Sequence, residues 1–156
     1  MAKQLHIIVF SLCFSVAGLV GAEIAQAVLG ESVDSVAMDL KILSASQRAS
    51  TVQNDYTIYN IKNDSISIRE YVSPSGVVFG IAWNGMVHPD FTKFLGTYFR
   101  EYQEALKQSP NNPGRRFLQI KTVNVVVETW GHMRNVQGRA YVPTLIPKGV
   151  DTYEIK

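Results

Sequence analysis

Two glutamates, Glu70 and Glu128, are the residues of this sequence best suited to acid–base catalysis. Both lie in strand-like segments, and glycoside hydrolysis uses two carboxyl groups held at a set separation. The sequence leaves open whether the two face each other. A buried ion pair of Glu70 with an arginine such as Arg134 or Arg139 is the alternative, because it would satisfy the charge without catalysis. A small hydrolase that uses Glu70 and Glu128 is therefore one function to test.

Histidine and serine residues give no comparable pattern. A zinc site needs three or four ligands, and His88, Asp90 and the distant His132 follow no recognised ligand spacing. Ser73 and Ser75 stand beside proline and glycine without a nucleophile elbow, which is typical of a turn. The sequence thus predicts no metal site and no cofactor.

A different function, binding, is indicated by Tyr56, Arg69 and Tyr71. Strand alternation places these side chains on one sheet face, over a shallow floor at Gly80 and Ala82. Tyrosine and arginine are favoured at recognition sites, since they combine large contact area with directional hydrogen bonds. The alternative is that the first helix or the C-terminal tail covers this face as a second core layer. We expect a non-catalytic module that binds an envelope protein or a small ligand here.

The first 27 residues have the pattern of a cleaved signal peptide. Lys3 supplies a basic start, residues 5–21 form an apolar run, and Ala25-Gln26-Ala27 matches a small-residue cleavage site. An uncleaved membrane anchor is the alternative, because the run is close to spanning length. Cleavage after Ala27 predicts an exported protein, periplasmic or secreted, with one domain over residues 28–156 and no further membrane span.

Composition narrows the functional classes further. Cys13, the one cysteine, lies in the predicted leader, so the exported domain is expected to contain no disulfide. The formal net charge is only +2, whereas a dedicated nucleic-acid binder shows a clustered basic face. The basic doublet Arg115-Arg116 sits in a loop-like stretch, where a solvated loop is a simpler interpretation than a phosphate site.

Two turn signals predict a three-stranded antiparallel meander. Asn63-Asp64 and residues 73–76 suit tight hairpin loops. With these loops, Ile61 faces Ile66 and Val72 faces Val77. One buried face then receives the large apolar side chains, so that Ile68 and Phe79 share a side. That face comprises Tyr59, Ile61, Ile66, Ile68, Val72, Val77, Phe79, Ile81 and Trp83.

Helical periodicity appears twice. Residues 33–43 carry one apolar stripe. Residues 44–54 are interpreted as a connection. A second helix is predicted to begin at Pro89-Asp90, with proline at the first helical position. The aromatic stripe of the second helix is expected to pack on the sheet, and Gly96 within it indicates close approach of a neighbouring backbone. The stripe consists of Phe91, Phe94, Leu95, Tyr98, Phe99, Tyr102 and Leu106.

The C-terminal third is expected to add two strands. Residues 117–130 are strand-like, with a change of apolar parity that a bulge or a bend near Lys121-Thr122 would explain. Residues 136–142 form the last strand, and the tail to Lys156 is expected to pack along the surface. The predicted fold is α+β, in the order α-β-β-β-α-β-β, with the meander and the C-terminal strand pair packed by the aromatic helix.

Three segments together resemble a known bacterial family. They are residues 69–79 with Trp83 and Gly85, then Pro89-Asp90 with residues 95–99, and finally residues 138–143. This pattern is similar to the family catalogued as domain of unknown function 2844, over nearly all of the predicted mature chain. The resemblance implies an exported bacterial protein. It supplies no activity, cofactor or catalytic residue.

Overall fold

A computed structural model describes residues 28–32, 47–53, 55–62, 64–110 and 116–156. The predicted signal peptide and the predicted first helix, residues 33–43, lie outside these ranges. In the part of the chain that is described, no helix is both long and apolar enough to span a membrane.

One antiparallel sheet of seven strands forms the body of the protein. Its spatial order is β1-β2-β3-β4-β7-β6-β5, so a four-strand meander and a three-strand meander meet where β4 pairs with β7. The α+β class and the antiparallel sheet are confirmed, whereas the predicted strand number is too low. The strands are β1 Gln47–Val52, β2 Thr57–Lys62, β3 Ile66–Val72, β4 Val78–Gly85, β5 Phe117–Lys121, β6 Val126–His132 and β7 Asn135–Tyr141.

The first additional strand is β1, where the sequence had suggested a connection. It pairs with β2 along its whole length, from Gln47 opposite Lys62 to Val52 opposite Thr57. An edge strand needs only backbone hydrogen bonds on one side, so its side chains can be polar. Because β1 has no apolar alternation, the sequence pattern did not predict it as a strand.

The second additional strand arises because residues 117–130 reverse direction instead of bulging. The Thr122 amide donates to the Val125 carbonyl oxygen at 2.9 Å, and the Val125 amide donates back to Thr122 Oγ1 at 3.0 Å. This turn separates β5 from β6, which pair from Lys121–Val126 to Phe117–Trp130. The change of apolar parity therefore marks a hairpin turn, where a bulge or a bend within one strand was expected.

Register in the first meander also differs from the prediction. Ile61 faces Ile68, not Ile66, because the loop between paired Lys62 and Ser67 is longer than two residues. A shift by two preserves the faces, since side chains alternate with period two. The faces of β2 and β3 therefore came out as expected.

A bulge in the second hairpin reverses part of β4. Tyr71 pairs with Gly80, whereas Val72 pairs with Val78, so Phe79 is the extra residue. Phe79 consequently packs with Tyr71, on the side opposite Ile68. The expectation that Ile68 and Phe79 share a face is wrong, and Val78 fills the place assigned to Phe79.

The helical layer consists of α1 Phe91–Leu95, a 3-10 turn Gly96–Tyr98 and α2 Phe99–Gln108. Asp90 caps α1 by accepting from the Thr92 amide at 3.1 Å, so Pro89 lies before the helix and not at its first position. Gly96 has φ +48°, and a Cβ there would collide with the Val28 side chain. The predicted close approach exists, but it involves a side chain.

Two apolar clusters lie on opposite faces of the sheet. The helix-side cluster lies beneath α1 and α2 and includes Leu29 from the N-terminal segment, whereas Leu106 lies outside it and is 37% exposed. The tail-side cluster lies beneath the C-terminal segment. The sheet is thus sandwiched between the helices and the tail. The buried members of the tail-side cluster are Tyr56, Tyr71, Phe79, Ala82 and Ile155.

Candidate functional site

The three residues predicted to bind a partner line one cavity of about 450 Å³ on the tail side of the sheet. We call it the tyrosine cavity. Tyr71 and Tyr56 are almost fully buried, with 1% and 9% of their surface exposed, whereas Arg69 is half-buried. The remaining lining residues are Thr51, Gln53, Ile58, Asn60, Glu154 and Lys156.

Strands β2 and β3 position these side chains. Arg69 and Tyr71 are two residues apart on β3, so they project to the same face, and their partners on β2 are Asn60 and Ile58. Tyr56 immediately precedes β2, and its ring centre lies 5.8 Å from that of Tyr71. The cavity wall on this side is therefore held by regular sheet hydrogen bonds.

The C-terminal segment forms the opposite wall. The Tyr71 hydroxyl donates to the Lys156 carbonyl oxygen at 2.8 Å and accepts from the Lys156 amide at 3.0 Å. The Tyr56 hydroxyl donates to Glu154 Oε2 at 2.8 Å. Both phenol hydroxyls are thus occupied in tying the tail to the sheet.

Ile155 anchors the same segment by burial. Its side chain is fully buried, and a Cβ at Gly80 would lie only 3.0 Å from Ile155 Cδ1. The floor at Gly80 that the sequence suggested for a ligand is therefore occupied by the tail. Over Gly80 the tail therefore forms a second core layer, which was the alternative to an open binding face. The cavity lies beside this covered area.

A helical cap shapes the tail before it reaches the cavity. In the 3-10 turn Thr152–Glu154, the Asp151 side chain accepts from the Tyr153 amide at 2.9 Å, and Glu154 Oε1 accepts from the Asp151 amide at 3.0 Å. This reciprocal arrangement is a capping box. It leaves Glu154 Oε2 for the Tyr56 hydroxyl, so one glutamate serves both the cap and the cavity wall.

The guanidinium of Arg139 forms hydrogen bonds that hold the C-terminal segment against the sheet. Its Nε donates to Glu128 Oε2 at 2.5 Å, and its Nη1 donates to the carbonyl oxygens of Thr152 and Ile155 at 2.7 and 3.3 Å. Gln119 Nε2 also donates to Glu128 at 2.5 Å. The Glu128 carboxylate is therefore a structural acceptor that orients the guanidinium holding the C-terminal segment.

The electrostatics of the cavity favour fixed protonation states. Burial, followed by the hydrogen bond to Glu154, raises the pKa of Tyr56 from 10.0 to about 12. Hydrogen bonds from the Asp151 amide and from Tyr56 lower the pKa of Glu154. At neutral pH the phenol is a donor and the carboxylate an acceptor, so neither is poised for proton transfer.

Arg69 is the polar group of the cavity best placed for a ligand. Between pairs of described residues the salt bridges are Lys93–Asp90 and Arg139–Glu128, and Arg69 is in neither. A guanidinium presents five N–H donors and matches carboxylate or phosphate oxygens. Asn60 and Gln53 add amide groups to the same lining. The cavity can bind an anionic or strongly polar group.

The two candidate catalytic glutamates are not brought together. Glu128 pairs with Arg139 across β6 and β7, and the neighbouring partners in β4 and β3 are Ala82 and Arg69. These four side chains lie on the tail side of the sheet. Glu70 is next to Arg69 on β3 and therefore projects to the helix side, where it is fully buried. The sheet separates the two carboxyl groups, so in this structure they do not flank a common bond.

The arginines suggested as partners of Glu70 lie elsewhere. Arg139 pairs with Glu128, and Arg134 is exposed at a tight turn with φ +65°.

Ser73 and Ser75 share a hydrogen bond of 2.8 Å, and the Val77 amide donates to Ser73 Oγ at 3.2 Å. Both serines take part in turn chemistry.

His88 and His132 both line a second pocket, which is described below. Within the described ranges, no group of three or more His, Cys, Asp or Glu side chains could hold a metal ion. Asp90 is used as the cap of α1.

The sequence did not identify the two tail residues that line the cavity, Glu154 and Lys156, or the buried Ile155 between them. The tail was expected to pack along the surface or, as the alternative, to cover this face as a second core layer. The signal that could have found them is Asp151 followed three residues later by Glu154, the spacing of a capping box. A capped turn ending in isoleucine indicates a segment that returns to a core.

Comparison with known proteins identifies a family but no characterised relative. A family model described as a protein of unknown function (DUF2844) matches residues 25–155. No curated protein and no solved structure matches the chain.

Proposed function

From the premise that this chain belongs to the family of proteins of unknown function DUF2844, we propose that it is a non-catalytic binding module of the bacterial cell envelope. The leader-like residues 1–27 support export to the periplasm or beyond. The tyrosine cavity is the proposed binding site, and its ligand is an envelope protein segment or a small molecule that presents a carboxylate or phosphate to Arg69.

One observation carries this proposal: Tyr56, Arg69 and Tyr71 line a single cavity of about 450 Å³. That volume is within the range of small-molecule and peptide side-chain sites. The two tyrosines give the cavity rigid aromatic walls, because their hydroxyls are already bonded to the tail. Rigid walls lower the entropy cost of binding.

The cavity's chemistry favours binding over turnover. Its lining contains one side-chain carboxylate, that of Glu154, which already accepts hydrogen bonds from Tyr56 and from the Asp151 amide. A general base must reach the proton that it abstracts, and this carboxylate is directed to protein donors. Arg69 is a permanent cation and cannot act as a base.

Affinity chromatography tests the proposal. The protein comprising residues 28–156 is immobilised, and periplasmic extract and soluble peptidoglycan fragments are passed over it separately. Arg69→Ala removes the guanidinium from a half-buried strand position, and Arg100→Ala removes one from the exposed surface of α2. We expect retention by the unmodified chain and by Arg100→Ala, with retention at least about tenfold weaker for Arg69→Ala.

The same columns separate the competing explanations. Equal retention by Arg69→Ala and Arg100→Ala would place the binding surface elsewhere. Release of cleaved peptidoglycan fragments, abolished by Glu70→Gln or Glu128→Gln, would favour the hydrolase instead. Glu70→Gln should leave retention unchanged under the binding proposal, because Glu70 lies on the other face of the sheet.

A further inference from the structure

A second pocket, of about 290 Å³, lies at the far end of the second meander. We call it the histidine pocket. His88, Arg116 and His132 are its ionisable lining residues, and the rest of the lining holds no carboxylate. The other lining residues are Leu118, Thr129, Trp130, Gly131, Met133 and Val136.

Three separate elements bring the nitrogen-bearing side chains together. His88 lies in the segment between β4 and α1, Arg116 directly precedes β5, and His132 ends β6. The Gly131 amide donates to the Arg116 carbonyl oxygen at 3.2 Å, which ties the start of β5 to the end of β6. Sequence spacing alone gave no reason to group these residues.

The pocket has a polar and an apolar side. Leu118 belongs to the rim of the helix-side cluster, and Val136, which pairs with Gly131, lies on the same face of the sheet. A ligand would therefore meet cationic or donor groups together with aliphatic surface. Small-molecule sites commonly combine these two features.

The histidines can donate hydrogen bonds to an anion when they are protonated. His132 Nδ1 lies 3.3 Å from the Met133 carbonyl oxygen, so with the Nδ1 proton directed there Nε2 donates to an anion only in the imidazolium form. Burial lowers the pKa of His88, so an anion that enters would offset this cost by favouring the imidazolium. Among the described residues, no carboxylate forms a salt bridge with Arg116.

We propose that the histidine pocket binds the phosphate or carboxylate group of a small molecule that also carries an apolar part. Arg116 supplies a forked pair of donors to the anion, and the two imidazoles add donors when they are protonated. Leu118 and Val136 contact the apolar part. The site is independent of the tyrosine cavity, with which it shares no lining residue.

A metal ion is the competing occupant. Two imidazoles are fewer ligands than a stable zinc site uses, and the guanidinium of Arg116 would repel a cation in the same pocket. The observations therefore favour an anion.

The test uses three matched probes: phenyl phosphate, benzoate and phenol. They share one ring, and at slightly acidic pH the first two are anions whereas phenol is neutral. Binding is followed by the backbone amide resonances of Gly131 and Val136, which line the pocket, with that of Ile155 in the tail as an internal reference. We expect saturable shifts with at least one anion, and the stronger of the two identifies the preferred headgroup. Phenol should give no saturable shift.

Variants assign the binding to the pocket. Arg116→Ala, at an exposed position, should weaken the anion at least about tenfold, and His132→Gln should weaken it less. Arg100→Ala serves as the control for general loss of charge and should not change the affinity. Equal binding of phenol, equal affinity of Arg116→Ala, or tight Cu²⁺ or Zn²⁺ binding without response to either anion would overturn the proposal.

Discussion

The hydroxyl of Tyr71 bonds to both the amide and the carbonyl oxygen of Lys156, 85 residues along the chain. This contact joins a central strand of the first meander to the end of the described chain. It makes the tail a structural layer of the fold and one wall of the tyrosine cavity. Changes in the tail should therefore affect both stability and binding.

Removal of the Tyr71 hydroxyl tests this link. Tyr71→Phe loses both hydrogen bonds at a buried position, and we expect the free energy of unfolding to fall by about 1–3 kcal/mol. Denaturant unfolding gives this value, and hydrogen exchange should show faster exchange at the Lys156 amide. Tyr153→Phe is the matched control, because Tyr153 is 76% exposed. An equal effect of the two variants would contradict the assigned role of Tyr71.

Ile155 should be the main apolar anchor of the tail. Ile155→Ala removes a fully buried side chain that packs on Gly80, and the expected loss is about 2–5 kcal/mol in unfolding free energy. Val123→Ala, at an 87% exposed position in the β5–β6 turn, should change stability by less than about 0.5 kcal/mol. If the tail only lay on the surface, both variants would lower the unfolding free energy by similar, small amounts.

Tyr56 should make stability depend on pH in the alkaline range. Its pKa is raised in the folded protein from 10.0 to about 12, so the folded state holds the proton more tightly than the unfolded state. The resulting stabilisation is complete below pH 10 and is lost as the pH rises towards 12. Unfolding free energies measured across this window should fall more steeply for the unmodified protein than for Tyr56→Phe.

Glu154→Gln refines that experiment. It removes the carboxylate while burial, the largest cause of the shift, remains. The pKa of Tyr56 should therefore move only part of the way back towards its ordinary value. Titration of phenolate absorbance, with Tyr56→Phe as the reference, measures it. An unchanged titration curve in Glu154→Gln would mean that the hydrogen bond contributes nothing to the shift.

Export can be checked on the full chain. Expressed with its leader in a Gram-negative host, the protein should appear in the periplasm with Val28 as its first residue, because Ala25-Gln26-Ala27 fits a signal peptidase site. Intact mass and N-terminal sequencing measure the cleavage. Retention of the leader in the inner membrane would instead support the uncleaved anchor.

The faces of β2 and β3 were predictable because alternation is a property of local sequence. Ile61, Ile68 and Val72 fell on the helix side as expected, and Arg69 and Tyr71 fell together on the other. Register was not predictable to the same degree, because it depends on loop length. The bulge at Phe79 reverses one residue without any sign in the alternation.

The features that the sequence did not predict, strand β1 and the packing of the tail, depend on long-range contacts. The polar edge strand β1 is defined by its pairing with β2, and the tail by hydrogen bonds to Tyr56, Tyr71 and Arg139. None of these leaves a periodic pattern in local sequence. The candidate binding residues were identified by type and face, while the opposite cavity wall required the fold.

Chemical-shift mapping with the ligand recovered by affinity chromatography is the most direct test of the proposed function. We expect the perturbed backbone and side-chain resonances to cluster at Arg69, Asn60, Ile58 and Lys156, which line the tyrosine cavity, and we expect Arg69→Ala to abolish the perturbations. Perturbations confined to the helix side of the sheet, or unchanged in Arg69→Ala, would contradict it.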